Sequence, residues 1–258
     1  MAEPVWDPTR YARHGDARLQ PALDLLARVP LTKAARVVDL GCGAGALFPA
    51  LRARFPGAEL IGVDRSASML ARVRTLDHSV RLIEADAATW RAESHVDLIV
   101  ANAVLHWLAD HARLLPDLLR QCRVLAVQVP DNFAAPSHRL VRETMLAGAW
   151  AAELRHVTLG DQVLPAKAYA ALLRRAGATW DMWRTTYFQQ LDGADAVLEW
   201  LRGTTLLPVH AALGGADQPL SRAFDAALGA RLRAAYPVDT SGRVVFPFRR
   251  LFFVAETG

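Results

Sequence analysis

Three aspartates and a group of glycines have the types and the spacing needed to hold a small charged ligand. Asp39 stands two residues before the segment Gly41-Cys42-Gly43-Ala44-Gly45, and Asp64 and Asp86 end the next two predicted strand units. Carboxylates accept hydrogen bonds, so Asp64 can accept from the hydroxyls of a ribose and Asp86 from an adenine amino group. Asp39 can bind an ammonium group. Three carboxylates in succession therefore favour a positively charged nucleotide.

The glycine segment also satisfies a dinucleotide-binding pattern, Gly41-x-Gly43-x-x-Ala46, which alone is a weak signal. That interpretation would make the chain an NAD(P)-dependent oxidoreductase. Three features favour a sulfonium nucleotide instead. Asp39 would repel a pyrophosphate, Gly45 extends the pattern to Gly-x-Gly-x-Gly, and Asp86 is an acid that a dinucleotide site does not need. A tight glycine turn with helix-capping acids is the purely structural alternative.

Apolar runs alternate with helical patterns over the first half of the chain and predict the elements that position these acids. Strands are predicted at 37–40, 60–64, 80–84, 96–101 and 124–129, and helices at 47–55, 66–76 and 110–120. Strands that alternate with helices form parallel units, and nearly continuous apolar runs indicate strands covered on both faces. Ligands of such sheets bind beyond the carboxyl ends of the strands, which is where the aspartates fall.

The pattern changes after Pro130, where long helical segments separate the last strands. Helices are predicted at 136–155, 165–176, 194–202 and 220–235, and strands at 180–190 and 243–256. Pro247 interrupts the final strand, which suits an edge or bulge position. We therefore expect a doubly wound, mostly parallel seven-stranded α/β sheet with helical insertions after strands five and six. A single domain would comprise an N-terminal lid or helix (1–30), a cofactor-binding half (31–130), and substrate-binding insertions with the last two strands (131–258).

Composition narrows the function classes. The 258 residues are 52% hydrophobic and 22% charged, as in ordinary globular proteins. The net charge of +4 comes without a basic run or stripe, so we expect no nucleic-acid partner.

No apolar stretch approaches the roughly 20 residues of a membrane span, and no leader pattern is present; we expect a cytoplasmic protein. Two cysteines and scattered histidines predict no metal site. The oligomeric state stays open, and a monomer is compatible with the sequence.

The pattern Asp39-Leu40-Gly41-Cys42-Gly43-x-Gly45 resembles a signature of the class I S-adenosylmethionine-dependent methyltransferases. The resemblance implies S-adenosyl-L-methionine as the cofactor. It also implies which residues contact each part of this cofactor. The methionine part would contact Asp39, Gly41, Cys42 and Gly43; the ribose would contact Asp64; and the adenine would contact Met69, Asp86 and Ala87. The alternative to an adenine contact for Met69 is that it packs in the hydrophobic core. Asn102, at the end of strand four, would hold the cofactor near its reactive centre.

Segments outside the glycine turn predict which class of molecule accepts the methyl group. Asn102 is followed by Ala-Val-Leu, whereas enzymes that methylate DNA amino groups carry two prolines and an aromatic residue there, so a small-molecule acceptor is expected. Nearly the whole chain resembles the trans-aconitate 2-methyltransferase family, through Trp6-Asp7-Pro8, 101–111, 127–132, 183–187 and Phe248-Arg249-Arg250-Leu251-Phe252. The resemblance implies methyl transfer to a carboxylate of trans-aconitate, giving a monomethyl ester and S-adenosylhomocysteine. The alternatives are another small acceptor, different sulfonium chemistry, or a non-enzymatic binder of the cofactor.

The negative charge of a carboxylate acceptor predicts which residue types bind it. Such a group is ionised at pH 7, so no catalytic base is required, and arginine grips carboxylates best. The candidates are Arg250 first, then Tyr187 in preference to Arg184, Tyr11 and Arg18 from the N-terminal segment, and Asn132 and His138 after strand five. Arg184 and Tyr187 are three residues apart, so a regular strand sends them to opposite faces. Gln20 replaces a family arginine, which could mean a less charged acceptor.

Overall fold

The computed structural model describes residues 15–160 and 162–257, apart from the side chains of residues 15–18. Its strands are β1 (Arg36–Leu40), β2 (Glu59–Asp64), β3 (Arg81–Glu84), β4 (Val96–Asn102), β5 (Cys122–Pro130), β6 (Thr179–Asp192) and β7 (Arg243–Glu256). They form one sheet in the order β3-β2-β1-β4-β5-β7-β6. Neighbours from β3 to β5 pair in parallel, and β7 runs antiparallel to β5. The predicted doubly wound, mostly parallel seven-stranded sheet is confirmed.

The helices connect these strands and fill the two insertions. Between β1 and β5 lie α2 (Phe48–Arg54), α3 (Ala67–Leu76) and α4 (His111–Leu119), after α1 (Gly15–Ala27) at the start of the described chain. The segment between β5 and β6 contains α5 (Pro136–Met145), α6 (Ala151–Leu154) and α7 (Ala166–Arg175). The segment between β6 and β7 contains α8 (Ala196–Arg202), α9 (Leu207–Ala212) and α10 (Pro219–Ala235). Helical insertions after strands five and six are therefore confirmed.

The central strands are buried on both faces, as their apolar runs predict. Successive residues of β4, including Leu98, Ile99 and Val100, have no exposed surface. Because successive strand residues point to opposite faces, this burial requires a cover on each side of the sheet. The predicted bounds of β1 to β4 and of α2 to α4 differ from the observed ones by no more than one residue at either end.

The chain divides into two compact units. The sheet unit comprises residues 16–130, 162–185 and 250–257, and the insertion unit includes residues 131–160 and 186–249. The core of the sheet unit joins the inner strands to α4 and α7, with Leu115, Tyr169 and Phe253 among its fully buried members. The insertion unit has its own buried side chains, including Trp200, Phe224 and Phe246.

The single helix predicted over 136–155 is wrong, because the structure has two helices there. Helix α5 ends at Met145, and α6 begins only at Ala151. Gly148 lies between them with a φ of +110°, a conformation that few residues other than glycine adopt. The indole of Trp150 donates to the carbonyl of Thr144 at 2.6 Å and holds this turn closed. Helix α9, over 207–212, was not predicted.

The edge position suggested by Pro247 is also wrong, since β7 lies between β5 and β6 in the sheet. The residue pairs between β5 and β7 run from Val124–Glu256 to Pro130–Arg250. Pro247 lies beyond the last of these pairs, so its lack of an N–H group interrupts none of them. No helix among the described residues is long and apolar enough to cross a membrane.

Candidate functional site

The turn after β1 is shaped around glycine. The amides of Gly41 and Cys42 both donate to the carbonyl of Val63, at 2.7 and 3.1 Å, which ties the turn to the end of β2. Gly41 has a φ of +75°, and a Cβ atom built there would lie 2.5 Å from a methyl carbon of Val104. The position therefore requires glycine for two reasons, backbone conformation and space.

Gly43 faces open space instead. A Cβ atom at this position would meet nothing within 4 Å, although the φ of +53° still favours glycine. The amide of Gly43 donates to Oδ2 of Asp64 at 2.8 Å, and Oδ1 of Asp64 accepts from the amide of Ser66 at 2.9 Å. The carboxylate is thereby held in one orientation beside the turn. Each of its oxygens retains capacity to accept from a ligand hydroxyl.

Asp39 is a buried acid at the end of β1. Its side chain is 4% exposed. Burial, and secondarily the charge of Asp64, raises its pKa to about 7. Desolvation and a neighbouring like charge both disfavour the ionised form, so a cation brought beside Asp39 would relieve both. The structure thus supports the predicted preference for a positively charged group.

Cys42 contributes its backbone to the turn and its side chain to packing. The thiol is buried, and its sulfur lies 3.0 Å from the position a Cβ of Gly62 would occupy. Burial raises the pKa of this thiol well above its usual value, with further contributions from Asp39 and Asp64. The thiolate is the reactive form of cysteine, so Cys42 is an inert residue here.

The acids at the ends of β2 and β3 are connected through the backbone. The amide of Ala85 donates to the carbonyl of Asp64 at 3.1 Å. One carboxylate oxygen of Asp86 accepts from the amide of Ala88 at 2.8 Å and holds the turn in which Ala87 lies, 8% exposed. Met69, in the first turn of α3, is 7% exposed. Contacts of Asp86, Ala87 and Met69 with an adenine stay a prediction.

The end of β4 carries a strained residue and an unsatisfied polar atom. Ala103 has a φ of +54°, which costs a residue with a Cβ about 1–2 kcal/mol. Its amide donates to the backbone carbonyl of Gln128 at 2.9 Å, which helps to hold this conformation. Oδ1 of Asn102 is buried without a hydrogen-bond partner among the described residues. Buried polar atoms are normally hydrogen-bonded, so this oxygen is available to a ligand.

A second polar pair lies on the neighbouring strands. Gln128 of β5 has no exposed surface, and its side-chain oxygen accepts from Nη1 of Arg250 of β7 at 3.2 Å. Arg250 is itself 7% exposed. Arg250 is a candidate predicted from the sequence, whereas Gln128 is not. The available signal was that Gln128 is the one polar residue in the otherwise apolar run 124–129.

His138, in the insertion unit, is a neutral buried histidine. Its Nδ1 lies 3.2 Å from the hydroxyl of Ser137, and its Nε2 lies 3.4 Å from the hydroxyl of Thr205. Burial, together with the positive charge of Arg142, lowers its pKa to about 4. At neutral pH it therefore offers no positive charge to an acceptor carboxylate. Its role in acceptor binding stays a prediction.

The remaining acceptor candidates differ in exposure. Asn132 is 4% exposed; its oxygen accepts from the amide of Arg249 at 3.3 Å, and its nitrogen has no partner among the described residues. On β6, Arg184 is exposed and Tyr187 is half-buried, which agrees with opposite faces of the strand. Tyr11 and the side chain of Arg18 lie outside the described residues. Acceptor contacts of these residues stay predictions.

The residues around the glycine turn fit the cofactor that the sequence implies. S-adenosylmethionine carries an ammonium group, a ribose with two hydroxyls and a positively charged sulfur. The buried carboxyl of Asp39, with its raised pKa, favours a cation beside it. The open space before Gly43 can receive a ligand, and a Cβ at this position would reduce that space. The unsatisfied Oδ1 of Asn102 provides an acceptor in the same unit.

Comparison with solved structures agrees with this fold. The YcgJ protein of Bacillus subtilis matches with a TM-score of 0.57 at 13% sequence identity, covering 94% of this chain and 98% of that chain. The cyclopropane synthase MmaA2 of Mycobacterium tuberculosis matches with a TM-score of 0.57 at 16% identity, covering 92% and 84%. At such identities the likeness concerns the fold alone, because one fold supports several chemistries.

Relatives in sequence indicate the family as well as the fold. A family model described as a methyltransferase domain matches residues 11–181. Three relatives named trans-aconitate 2-methyltransferase come from Azoarcus sp. (47% identical over 98% of this chain and 99% of that protein), Methylobacterium nodulans (45%, 97% and 98%) and Streptomyces coelicolor (45%, 98% and 87%). The glycine turn, its acids and these full-length matches agree: the chain belongs to the trans-aconitate 2-methyltransferase family of S-adenosylmethionine-dependent methyltransferases.

Proposed function

We propose that this chain transfers a methyl group from S-adenosylmethionine to a carboxylate of trans-aconitate, giving a monomethyl ester and S-adenosylhomocysteine. The observation that carries the choice of acceptor is the buried guanidinium of Arg250 at the end of the sheet where β4 and β5 finish. Its Nη1 donates to the side-chain oxygen of Gln128 at 3.2 Å. A guanidinium keeps its positive charge at neutral pH, and its fork geometry suits a carboxylate.

The cofactor supplies a methyl group already activated by a positively charged sulfur. Asp39 would hold the ammonium group, Asp64 the ribose hydroxyls and Asn102 the region near the reactive centre. Because the acceptor carboxylate is already ionised at pH 7, no residue has to remove a proton. The chain therefore has to bind two ligands, orient an oxygen in line with the transferred methyl, and exclude water. Such positioning supplies on the order of 7–11 kcal/mol of a reaction barrier.

A labelled-methyl assay tests this function. The purified protein is incubated with methyl-labelled S-adenosylmethionine and, separately, trans-aconitate, cis-aconitate, citrate, isocitrate and two dicarboxylates. We expect a base-labile monomethyl ester, formed best from trans-aconitate. Gln20, whose amide donates to Asp24 at 2.7 Å, replaces a family arginine, and the dicarboxylates test whether that loss changes the preferred charge. Absence of ester from every acid would refute the proposal.

Two variants and one rival cofactor control the assay. Arg250→Ala should lower kcat/KM for the acceptor while leaving the affinity for S-adenosylhomocysteine intact, because Arg250 is assigned to the acceptor. Equal loss of both would contradict that role. A ligand at 100 times its dissociation constant stabilises the folded state by about 2.7 kcal/mol. Stabilisation by NADH and not by S-adenosylhomocysteine would instead favour the oxidoreductase alternative.

A further inference from the structure

Gln128 is a buried amide for which packing alone gives no reason. It lies in β5, whose other residues from Val124 to Pro130 are apolar and buried. Its Nε2 has no hydrogen-bond partner among residues 15–160 and 162–257. Leaving such a donor unsatisfied costs about 1–3 kcal/mol, a cost that leucine or methionine would avoid. A ligand that accepts from Nε2 would remove this cost.

The orientation of the amide follows from Arg250. A guanidinium has donors and no acceptor, so the atom of Gln128 that faces Nη1 of Arg250 at 3.2 Å must be the oxygen. The nitrogen, which is bonded to the same carbon and lies in the same plane, must then be the atom turned away from Nη1. Gln128 thereby restrains Arg250 and presents two N–H donors of its own.

The sheet register brings these donors to one face. Gln128 pairs with Asn102 of β4 and with Phe252 of β7. Arg250 precedes Phe252 by two residues, so its side chain leaves the strand on the same face. Asn102, Gln128 and Arg250 thus form a polar row across three neighbouring strands, at the carboxyl ends of β4 and β5. Ligands of open α/β sheets bind at this end.

We propose that Gln128 is an acceptor-binding residue, whose amide nitrogen donates to the carboxylate that Arg250 holds. The proposal rests on the function proposed above and adds a specificity determinant to it. The carbonyl oxygen of Gln128 keeps the guanidinium in place, and its N–H groups supply a second donor for the same anion. The pair recognises a planar group with two acceptor oxygens, which a carboxylate has and a primary amide lacks.

The test compares two glutamines that lie near opposite ends of β5. In Gln128→Met, kcat/KM for trans-aconitate should fall about 10- to 100-fold, since a hydrogen bond to a charged group is lost. The affinity for S-adenosylhomocysteine should be unchanged. The stability of the ligand-free protein should change little, because the variant removes the unsatisfied Nε2 but also the acceptor of Nη1 of Arg250. A purely structural role would instead lower stability and leave kcat/KM unchanged.

Gln121→Met is the matched control. Gln121 donates to the carbonyl of Asp117 at 2.7 Å and accepts from the amide of Ala92 at 2.6 Å, so both of its polar atoms have partners. This variant should lose stability and keep kcat/KM, whereas Gln128→Met should lose kcat/KM with little change in stability. A fall in kcat/KM of the same size in both variants would overturn the proposal.

Repeating Gln128→Met in an Arg250→Ala background separates direct contact from an effect through Arg250. If Gln128 touches the acceptor, kcat/KM falls further in the double variant. If the double variant equals Arg250→Ala, Gln128 only positions the arginine, and the proposal is wrong. Wild-type protein that esterifies trans-aconitate, with Gln128→Met equally active, refutes this inference alone. Wild-type protein that esterifies no acid refutes both proposals.

Discussion

The backbone amide of Gly43 donates to Oδ2 of Asp64 across 2.8 Å, joining the turn after β1 to the acid at the end of β2. Because Oδ1 of the same carboxylate accepts from the amide of Ser66, both oxygens are oriented by backbone donors. A carboxylate fixed in this way needs no reorganisation to meet the hydroxyls of a ribose. The proposed ribose-binding carboxylate is therefore preorganised by the backbone of adjacent strands.

Gly41→Ala and Gly43→Ala should fail in different ways. At Gly41 a methyl group would overlap Val104, and φ is +75°, so we expect a loss of about 2–5 kcal/mol in the free energy of unfolding. At Gly43 only the φ of +53° is unfavourable, at about 1–2 kcal/mol, but the methyl group would enter the space assigned to the cofactor. Urea unfolding measures the first effect, and calorimetric titration with S-adenosylhomocysteine measures the second. Unchanged affinity in Gly43→Ala would argue against the assigned cradle.

Asp39 should make the ligand-free protein less stable as pH rises. Its pKa of about 7 in the folded state exceeds 3.8, so the folded state holds a proton that the unfolded state releases. Stability therefore falls between about pH 4 and pH 7, by up to about 1.4 kcal/mol per pH unit from this group. Asp39→Asn removes that loss and should be more stable than the wild type at pH 8, with the difference closing toward pH 5. Equal pH profiles of the two proteins, from urea unfolding, would show that Asp39 is not buried as described.

The same carboxyl should make ligand binding depend on pH. If ionised Asp39 holds the ammonium group, binding releases a proton below about pH 7 and the affinity for S-adenosylhomocysteine rises with pH, by up to about tenfold per unit. Calorimetry in buffers of different ionisation enthalpy counts the released proton. Asp39→Asn should bind weakly at every pH and release none. An affinity that does not change between pH 6 and pH 8 would contradict the assignment.

His138 should act on stability in the opposite direction. Its pKa of about 4 in the folded state lies below 6.5, so the unfolded state takes up a proton first as pH falls. The stability that neutral His138 contributes is complete above about pH 6.5 and is lost as pH falls toward 4, at up to about 1.4 kcal/mol per unit. His138→Gln should show a smaller loss over this range, compared by urea unfolding with its own value at pH 8. A steeper loss in the variant would rule out a buried neutral histidine.

Tyr169 and His111 should stabilise the segment after β4 as a coupled pair. Nε2 of His111 lies 2.8 Å from the carbonyl of Leu105, so it carries the proton, and Nδ1 accepts from the hydroxyl of Tyr169 at 2.9 Å. Tyr169→Phe leaves Nδ1 buried without this donor and should cost about 1–3 kcal/mol. The double variant with His111→Leu should cost less than the sum of the single changes, since each removes the same hydrogen bond. Additive losses in urea unfolding would exclude the coupling.

The sheet and the cofactor turn could be predicted from local sequence. Apolar runs of strand length separated by helical patterns encode parallel units, and glycines between a strand and a helix encode a turn that other residues cannot adopt. The acids at the ends of β1, β2 and β3 follow from the same pattern, since parallel strands end at one edge. The break at Gly148 escaped prediction because both sides of it have helical composition, and a φ of +110° is visible only in the folded chain.

The sequence by itself determined the order of strands and helices from β1 to β5, the turn at Gly41–Gly45 and the acids beside it, because each depends on residues close together in the chain. The tertiary structure alone decided that Gln128 meets Arg250, 122 residues away, and that burial raises the pKa of Asp39 to about 7. Strand register determines which distant side chains share a face, and burial determines the free energy of charging them. Neither is a local property, so the polar row and the charge states of the site required the folded chain.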